Sequence, residues 1–326
     1  MKTRVLGGPE GLAVSAVGFG APTFRGPTPP GGIGNACAVI RRAVELGVTL
    51  IDTADHNDGN NEDVLGEALR GLREEVVLCS KWGNLRSLSW AEGREVDGSP
   101  EYARKACEAS LRRLKTEYLD LYYLHRVDPD IPIEESVGAM VGLKEEGKVR
   151  HIGLCEAGPA TIARAATVHP IAAIESEYSL LTRDYEDDTI PAATEMGIGF
   201  VAYYPLARGF LSGAITGPPS DGRRSVPRFN ADNLPHNLAL LGRLRVLAEE
   251  KNCTVGQLAL AWLLHRGETI VPIPGTNSIE HLEENAAAAD IALGPEDMAA
   301  IEAIFPREGA VKGARFDRDR SHELNI

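Results

Sequence analysis

The amino-acid sequence predicts an α/β fold, a (β/α)8 barrel of the TIM type with an N-terminal β-hairpin as a cap. Eight short apolar runs rich in Val, Ile, Leu and Tyr alternate with segments of helical length over roughly 260 residues, near the ~250 typical of this fold. No G-x-G-x-x-G follows the first run, which counts against the competing interpretation, a doubly wound open sheet. The predicted strands lie at 14–20, 49–54, 76–81, 119–125, 149–154, 172–178, 199–205 and 269–275. We expect residues 1–326 to form a single domain.

Amphipathic patterns between these runs predict helices, several of which open with Ser or Asn and close with Gly. The clearest helical patterns are at 35–47, 99–114, 133–147 and 255–267. The turn-forming "GGPEG" within residues 1–13 predicts a hairpin that caps the bottom of the barrel. The Pro- and Gly-rich stretch 206–236 is too long for an ordinary connection, so we expect a functional loop that lies over a site.

Composition and charge indicate which kinds of partner the protein can bind. The chain has 326 residues and a net charge of −13, and no run of Lys or Arg offsets its repulsion from nucleic acid or an anionic membrane. Its five cysteines are widely spaced without a C-x-x-C pair, which predicts mostly buried, reduced thiols and neither disulfides nor a metal site. No targeting signal or membrane span is visible, so we expect a cytoplasmic protein that binds a small-molecule substrate. The sequence leaves the oligomeric state open.

Charged side chains close three consecutive predicted strands. Asp52 ends the second run, Lys81 the third and His125 the fourth. Because active sites of such barrels lie at the carboxyl ends of the strands, we expect these three side chains to converge on one mouth. A carboxylate keeps a nearby lysine charged, and the lysine in turn polarises a carbonyl oxygen or lowers the pKa of a neighbouring acid. The pattern therefore predicts an active site at this end of the barrel.

A set of motifs from near residue 3 to near residue 306 resembles the bacterial aldo-keto reductases. The motifs are "IDTAD", "VVLCSKWG", "SLRRLKTEYLDLYYLHRVDP", "KVRHIGLCEAG", "SEYSLLTRD", "FVAYYPLARGFLSG" and "IVPIPGTNSIEHLEEN". They are specific in combination. The resemblance implies a (β/α)8 barrel that binds NADPH without a Rossmann fold and transfers a hydride to a carbonyl group.

The resemblance also implies a catalytic set of Asp, Tyr, Lys and His, in which the tyrosine hydroxyl gives the proton. Asp52, Lys81 and His125 match this set, but the tyrosine place in D-x-Y-G is taken by Asn57. A gap in this loop would instead bring Asp58 or His56 there. Because an amide is no general acid, reduction of an ordinary ketone should be slower by ~10²–10⁴-fold unless another group donates.

Several explanations of the missing tyrosine stay open. Another group donates the proton, with His125, His56 and Asp58 as candidates, or the substrate needs no such donor. An iminium arrives already protonated, and a conjugated alkene is reduced at carbon. The alternatives to a redox enzyme are a non-redox lyase or dehydratase and a protein that binds cofactor without turnover.

The family resemblance also assigns the residues around the nicotinamide. Relatives commonly hold the carboxamide with Ser, Asn and Gln, where this sequence has Cys155, Glu156 and Glu175. A carboxylate accepts a hydrogen bond from an amide NH₂ group, so Glu175 is compatible with binding. Tyr203 matches the ring that stacks on nicotinamide. The residues of the following loop, along the pyrophosphate, are Leu206, Ala207 and Gly209.

The 2′-phosphate region departs further from the family pattern. After "PGT", which ends at Gly275 and Thr276, relatives that prefer NADP commonly carry Lys and Arg. Here Asn277 follows, and His281 replaces a frequent Arg, which should weaken NADPH selectivity by ~1.5–3 kcal/mol per lost contact. NADPH remains the expected cofactor and NADH the alternative, with Arg208 as a compensating cation.

Two last segments complete the prediction. Glu284 and Asn285 match the "EN" pair that lies on the adenine side in the family. The stretch 315–326 alternates charges, which predicts a solvated tail. In the family this tail helps to close the substrate pocket, so contact with a ligand is the alternative.

Overall fold

Two β-sheets organise the fold, a small hairpin and a large parallel sheet. The structure, a computed structural model, describes residues 1–8, 11–21, 28–55, 57–86, 88, 91, 95–316 and 325. The hairpin pairs β1 (Thr3–Leu6) with β2 (Leu12–Ser15) in antiparallel register. Leu6 is fully buried and packs at the position of Gly199, where a side chain would collide with it. Since Gly199 begins a strand of the large sheet, the hairpin closes the amino end of that sheet, which confirms the predicted cap.

The large sheet is a barrel of eight parallel strands in chain order, each hydrogen-bonded to the next. The strands are β3 (Phe19–Gly20), β4 (Leu50–Asp52), β5 (Val77–Trp82), β6 (Leu119–Leu124), β7 (Val149–Cys155), β8 (Ala173–Glu177), β9 (Gly199–Tyr203) and β10 (Ile270–Pro272). The backbone N–H of Gly18 donates to the carbonyl of Pro272 at 2.9 Å and so joins the first strand to the last. The (β/α)8 barrel is confirmed. One detail of the prediction was wrong: the run 14–20 serves two strands, with 14–15 in the hairpin and 19–20 in the barrel.

Ten α-helices lie within the described part of the chain, most of them between consecutive strands. They are α1 (Gly32–Glu45), α2 (Asn60–Ala68), α3 (Pro100–Leu114), α4 (Ile133–Glu145), α5 (Pro159–Val168), α6 (Thr189–Glu195), α7 (Leu234–Glu250), α8 (Val255–His265), α9 (Ile279–Ala287) and α10 (Pro295–Ile304). Their first residues follow from capping: the Ser99 hydroxyl accepts from Tyr102 N at 3.3 Å, and Thr254 forms a capping box with Gln257. The four clearest helical predictions correspond to α1, α3, α4 and α8. None of the described helices has the length and apolar composition that crossing a membrane requires.

Alternation along the strands sets which side chains enter the barrel. Leu50 and Leu121 belong to the apolar cluster inside the barrel, whereas their neighbours Ile51 and Tyr122 belong to the layer between strands and helices. Because side chains alternate with a period of two, every second residue toward the carboxyl end of a strand also points inward. Asp52, two residues after Leu50, therefore also points into the barrel. By the same alternation the side chains of Lys81, Cys155, Glu175 and Tyr203 point inward at the mouth of the barrel.

The long stretch 206–236 is built of short turns. Three 3₁₀ segments, Ala207–Gly209, Gly222–Ser225 and Pro227–Phe229, precede the start of α7. Phe229 is buried and stacks on Phe210, earlier in the same stretch, with ring centroids 5.7 Å apart. The two ends of the loop are thus packed on each other just after β9.

Candidate active site

Lys81 is the centre of the mouth. Its ammonium group contacts the Asp52 carboxylate, donates to the Thr53 carbonyl at 2.9 Å and lies 3.2 Å from Oε2 of Glu175. The side chains of Lys81, Asp52 and Glu175 are only 4–8% exposed. The structure thus brings Asp52 and Lys81 together as their strand-end positions predict, and it adds Glu175 from across the barrel.

The floor beneath this lysine is aromatic. The Tyr123 ring centroid lies 5.4 Å from Nζ of Lys81, within the range of a cation–π contact. The ring occupies the space where a side chain at position 153 would stand, since a Cβ on Gly153 would come within 2.4 Å of it. A glycine in β7 is therefore needed for the ring to lie under the lysine.

Burial and charge set the protonation of this cluster. Burial raises the pKa of Asp52 against the opposing effect of Lys81. Burial, followed by the nearby Asp52 charge, raises the pKa of Glu175 to about 8. Burial opposes the charge on Lys81, but Asp52 and Glu175 outweigh it and raise the pKa of the ammonium group. The lysine is therefore held in its charged form, and burial beside Asp52 favours the protonated form of Glu175.

His125 stands one residue beyond β6, at the same end of the barrel. Its backbone N–H donates to the carbonyl of Trp82, the residue after Lys81, at 2.7 Å, and its side chain is buried. The loop after β4 contains the tyrosine place of the family: Asn57 begins a short 3₁₀ turn, in which Asp58 is exposed and has a φ of 57°. The predicted donor His56 and the side chain of Asn57 lie outside the described residues.

Glu156 lies on the side of the mouth where the sequence predicts the cofactor. This residue follows β7 with a φ of 52° and is fully buried. Its Oε1 accepts from the Tyr203 hydroxyl at 2.6 Å and from the backbone N–H of Glu177 at 3.1 Å, and its Oε2 accepts from the Tyr185 hydroxyl. Cys155, one residue earlier, is buried and pairs in register with Glu175. Tyr203, predicted to stack on nicotinamide, thus has its hydroxyl fixed while its ring stays partly exposed.

Arg315 enters this region from the C-terminal segment. Its Nη2 lies 2.5 Å from Glu156 and donates to the Tyr203 hydroxyl at 2.8 Å, and its Nε lies 3.0 Å from Glu177. The prediction that 315–326 is solvated is wrong for Arg315, because its side chain is only 5% exposed. The backbone N–H of Asn325 also donates a hydrogen bond to the backbone carbonyl of Glu156 at 3.2 Å. Residues 317–324 and 326 lie outside the described part of the chain.

Sequence reasoning missed Glu177 and Arg315. Glu177 had a visible signal, because two carboxylates at alternate positions of the apolar run "AAIESEY" must both point into the barrel. Arg315 had none, since its partners lie more than a hundred residues earlier in the chain. The guanidinium groups of Arg208 and Arg228 also approach Glu177, at 3.8 and 3.9 Å, so three arginines surround one carboxylate.

The loop that follows β9 is strained. Tyr204, Ala207 and Arg208 have φ values of 47°, 48° and 59°, a region that residues other than glycine rarely adopt. Such strain clusters at functional sites. A small cavity beside the loop is lined by Ala207, Arg208, Arg228 and Arg315 together with the carboxylate Glu177. The predicted residues Leu206, Ala207, Arg208 and Gly209 therefore lie in the strained loop, and Ala207 and Arg208 border this cavity.

The segment after β10 leads into α9. The Ser278 hydroxyl caps this helix by accepting from the backbone N–H of His281 at 3.3 Å, and the Asn277 carbonyl accepts from Asn35 at 2.9 Å. His281 and Gly275 are exposed, and Thr276 is half-buried. An accessible helix amino terminus of this kind favours an anion.

Glu284 and Asn285, the pair that the sequence predicts on the adenine side, lie one turn further along α9. Glu284 carboxylate accepts from the Thr254 hydroxyl at 2.5 Å, and Gln257 donates to the Glu284 carbonyl at 3.1 Å. Asn285 is buried. The pair is therefore tied to the start of α8, and Glu284 remains half-buried.

A barrel whose buried charges gather at the carboxyl ends of its strands belongs to the (β/α)8 enzymes by architecture. Within that class, the chain belongs to the aldo/keto reductase family, whose family model matches residues 16–305. The resemblance inferred from the motifs and the prediction of an oxidoreductase of the aldo-keto reductase type are confirmed.

Three relatives illustrate the match. A protein from Glycine max called probable aldo-keto reductase 1 is 43% identical over 321 residues, which cover 97% of this chain and 92% of the relative. An aldo/keto reductase from Klebsiella pneumoniae, solved with NADP and acetate, has a TM-score of 0.75 at 32% identity and covers 97% of this chain and 99% of its own. The glycerol dehydrogenase of Gluconobacter oxydans has a TM-score of 0.83 at 28% identity, with 94% and 96% covered.

Proposed function

We propose that the protein is an NADPH-dependent reductase that acts on a C=O, C=N or activated C=C bond of a small organic substrate through a site without the usual tyrosine. One observation carries this proposal: a buried, charged Lys81 is held by Asp52 at the mouth of an aldo/keto reductase barrel. The Klebsiella pneumoniae relative was solved with NADP and, separately, with NADPH. NADH is the alternative cofactor.

The residues around the mouth fit a nicotinamide dinucleotide. The capped start of α9 suits a phosphate, and Arg208 in the strained loop after β9 is a cation near the mouth. Tyr203 offers a ring whose hydroxyl is held by Glu156 and Arg315. The Glu175 carboxyl group, whose pKa is raised, can accept from a carboxamide NH₂ group and, in its protonated form, donate to the carboxamide oxygen. When bound, the reduced nicotinamide supplies the hydride.

The chain's own residues do the remaining work. Lys81 places a fixed positive charge where negative charge develops on the substrate oxygen, and a buried site makes this charge more effective than in water. Asp52 keeps the lysine in place through their direct contact. His125 lies at the same end and is a second candidate to orient the substrate. Asn57, in the tyrosine place by sequence, provides no acid.

The test is a titration of the purified protein with NADPH and NADH, followed by tryptophan emission and calorimetry. Trp82 follows Lys81 in β5 and is fully buried, so it reports on the mouth. We expect micromolar binding of NADPH, and oxidation of NADPH by at least one member of a panel of aldehydes, ketones, cyclic imines and enones. No binding of either cofactor up to millimolar concentration would contradict the proposal.

A matched variant addresses cofactor choice. Asn277→Lys places a cation at the start of α9 without touching the mouth, so it should strengthen NADPH binding by about tenfold and leave NADH binding unchanged. An equal gain for both cofactors would show that position 277 does not meet the 2′-phosphate.

A further inference from the structure

One cation faces two carboxylates in the mouth. Nζ of Lys81 contacts Asp52 and lies 3.2 Å from Oε2 of Glu175, and all three side chains are buried. With both acids ionised, the cluster would carry a net negative charge out of contact with bulk water, which is costly. Two carboxylates that share such a site resolve this by keeping one proton between them.

Glu175 is the acid that keeps the proton. Asp52 makes the closer contact with Lys81, so its ionised form is the better compensated of the two. Burial and the Asp52 charge together raise the pKa of Glu175 to about 8, in agreement with the geometry. At neutral pH the cluster is therefore a carboxylate, an ammonium and a carboxylic acid.

The charged and titratable groups on the strands around Glu175 determine whether it keeps its proton. The titratable or charged groups that face it are Asp52 on β4, Cys79 and Lys81 on β5, Tyr123 on β6, Arg126 just beyond β6 and Cys155 on β7. Val201, its register partner on β9, is neutral. Lys81 and Arg126 favour the ionised form of Glu175, and Asp52 opposes it. Burial adds to the effect of Asp52, and the two outweigh the cations.

We propose that Glu175 is the proton reservoir of this active site and that Lys81 passes its proton to the substrate. This inference rests on the proposed function, because it concerns the proton that accompanies reduction. It goes beyond the role that the family pattern gives to position 175, which is to hold a carboxamide.

The step balances without a tyrosine. A bound reduced nicotinamide would supply the hydride to the carbon atom of the substrate, and the oxygen atom of a carbonyl or the nitrogen atom of a neutral imine then needs one proton. An N–H bond of Lys81 breaks and its proton passes to that atom, while the O–H bond of Glu175 breaks and its proton restores the ammonium group. The cluster then holds two carboxylates and one ammonium. Glu175 takes a proton from water before the next turnover.

The experiment compares wild type with Glu175→Gln, which keeps the size and a hydrogen-bonding head but holds no acidic proton. Infrared difference spectra of the free protein should show the C=O stretch of a protonated carboxylic acid that disappears with a midpoint near pH 8. Asp55 has a similar pKa and adds a band of its own, so the signal of interest is the part that shifts in protein with ¹³C-labelled glutamate. That part should be absent from Glu175→Gln. Glu177→Gln is the matched control, two residues along the same face of β8, and should leave the band in place.

Kinetics test the relay itself. Wild-type kcat should fall as pH rises through about 8, because Glu175 then loses its proton. Glu175→Gln should lower kcat at pH 7 by ~10²-fold and remove this pH limb, while NADPH binding changes by less than about threefold. An unchanged kcat and pH limb in Glu175→Gln, or a band that vanishes in Glu177→Gln, would overturn the proposal.

If Glu175→Gln does not fold, a second variant tests the same proposal. Asp52→Asn removes the charge that competes for Lys81, so Glu175 should pair with the lysine and its infrared midpoint should move well below pH 7. A midpoint that stays near 8 would contradict the shared-proton assignment. If wild type binds no NADPH, the proposed function fails and the relay fails with it. Failure of the relay alone leaves wild-type NADPH binding and reduction intact.

Discussion

Two buried clusters of charge at the mouth have similar composition, but the pKa of a carboxyl group is raised in one and lowered in the other. The lysine cluster, Asp52, Lys81 and Glu175, joins two carboxylates to one cation, and the arginine cluster joins Glu156 and Glu177 to Arg315. In the lysine cluster the pKa of Glu175 is raised to about 8. In the arginine cluster burial also opposes ionisation of Glu156, but Arg315 outweighs it and the pKa of Glu156 is lowered.

The difference lies in the hydrogen bonds. A guanidinium group has five donors in a planar fork, so Arg315 reaches Glu156, Glu177 and the hydroxyl of Tyr203 at once. Glu156 also accepts from the hydroxyls of Tyr185 and Tyr203. Lys81 has only three donors and divides them among Asp52, Glu175 and a backbone carbonyl. Equal burial thus yields a fixed anion where donors are plentiful and a titratable acid where they are scarce.

Of the substitutions that test this difference between the two clusters, Arg315→Ala should have the largest effect. It leaves Glu156 and Glu177 buried without their main cation, so the free energy of unfolding should fall by ~3–5 kcal/mol. Urea denaturation followed by tryptophan fluorescence measures the loss. Arg315→Lys, which keeps the charge without the fork, should lose a smaller part. Equal stability of Arg315→Ala and wild type would show that the arginine cluster does not need Arg315.

The next effect concerns the lysine cluster. Lys81→Met removes the charge that faces the substrate oxygen and should lower kcat by ~10²–10³-fold while the barrel stays folded. NADPH binding by calorimetry is the control, and it should change much less than kcat. Turnover at the wild-type rate in Lys81→Met would exclude the lysine from the reaction.

Asn57→Tyr sharpens the comparison by adding a second acid. A tyrosine in the family's catalytic place should raise reduction of simple aldehydes by ~10²-fold and make the rate at high pH independent of Glu175. Asn57→Phe adds the ring without the hydroxyl and should give no gain. If Asn57→Tyr binds NADPH but reduces aldehydes no faster, position 57 is not the tyrosine place.

The last effect is on the pH dependence of stability. Glu175 and Asp55 both have a pKa of about 8, raised chiefly by burial, so the folded protein keeps protons that the unfolded chain releases above pH ~4.5. The free energy of unfolding should therefore fall as pH rises from ~4.5 to 8, by at most ~1.4 kcal/mol per pH unit for each group. In Glu175→Gln this fall should be smaller.

Asp55→Asn is the matched control for this measurement, because Asp55 is buried beside Tyr102 rather than in the lysine cluster. The two variants should each remove part of the slope, and their effects should add. Urea midpoints at pH 5.5 and pH 8 provide the comparison. A Glu175→Gln slope equal to that of wild type would mean that Glu175 is ionised in the folded protein.

The sequence allowed prediction of the features that depend on local pattern. The eight strands follow from apolar runs, and the meeting of Asp52 with Lys81 follows because parallel strands end at one edge. The prediction of a single strand at 14–20 was wrong for a local reason, because one apolar run continues from the hairpin into the barrel without a polar break. The family resemblance, rather than local pattern, assigned Glu175 to the nicotinamide region.

The features that sequence reasoning missed depend on contacts between distant segments. Arg315 lies in a charge-alternating stretch that is typical of a solvated surface, and only the folded chain brings it to Glu156, 159 positions earlier. The protonation of Glu175 escaped for the same reason, because it depends on the distances from Asp52 and Lys81 inside the closed barrel. Residue type alone would have suggested an ordinary ionised glutamate.

The separation between Glu156 and Arg315 has a consequence for biosynthesis. Chains grow at ~5–20 residues per second, so the 159 intervening positions take roughly 8–32 seconds to translate. Throughout that interval Glu156 exists without its guanidinium partner and must remain hydrated, whereas Glu177 already has Arg208 and Arg228 available. The carboxyl end of β7 therefore gains its buried cation only after the last helix of the barrel has been made.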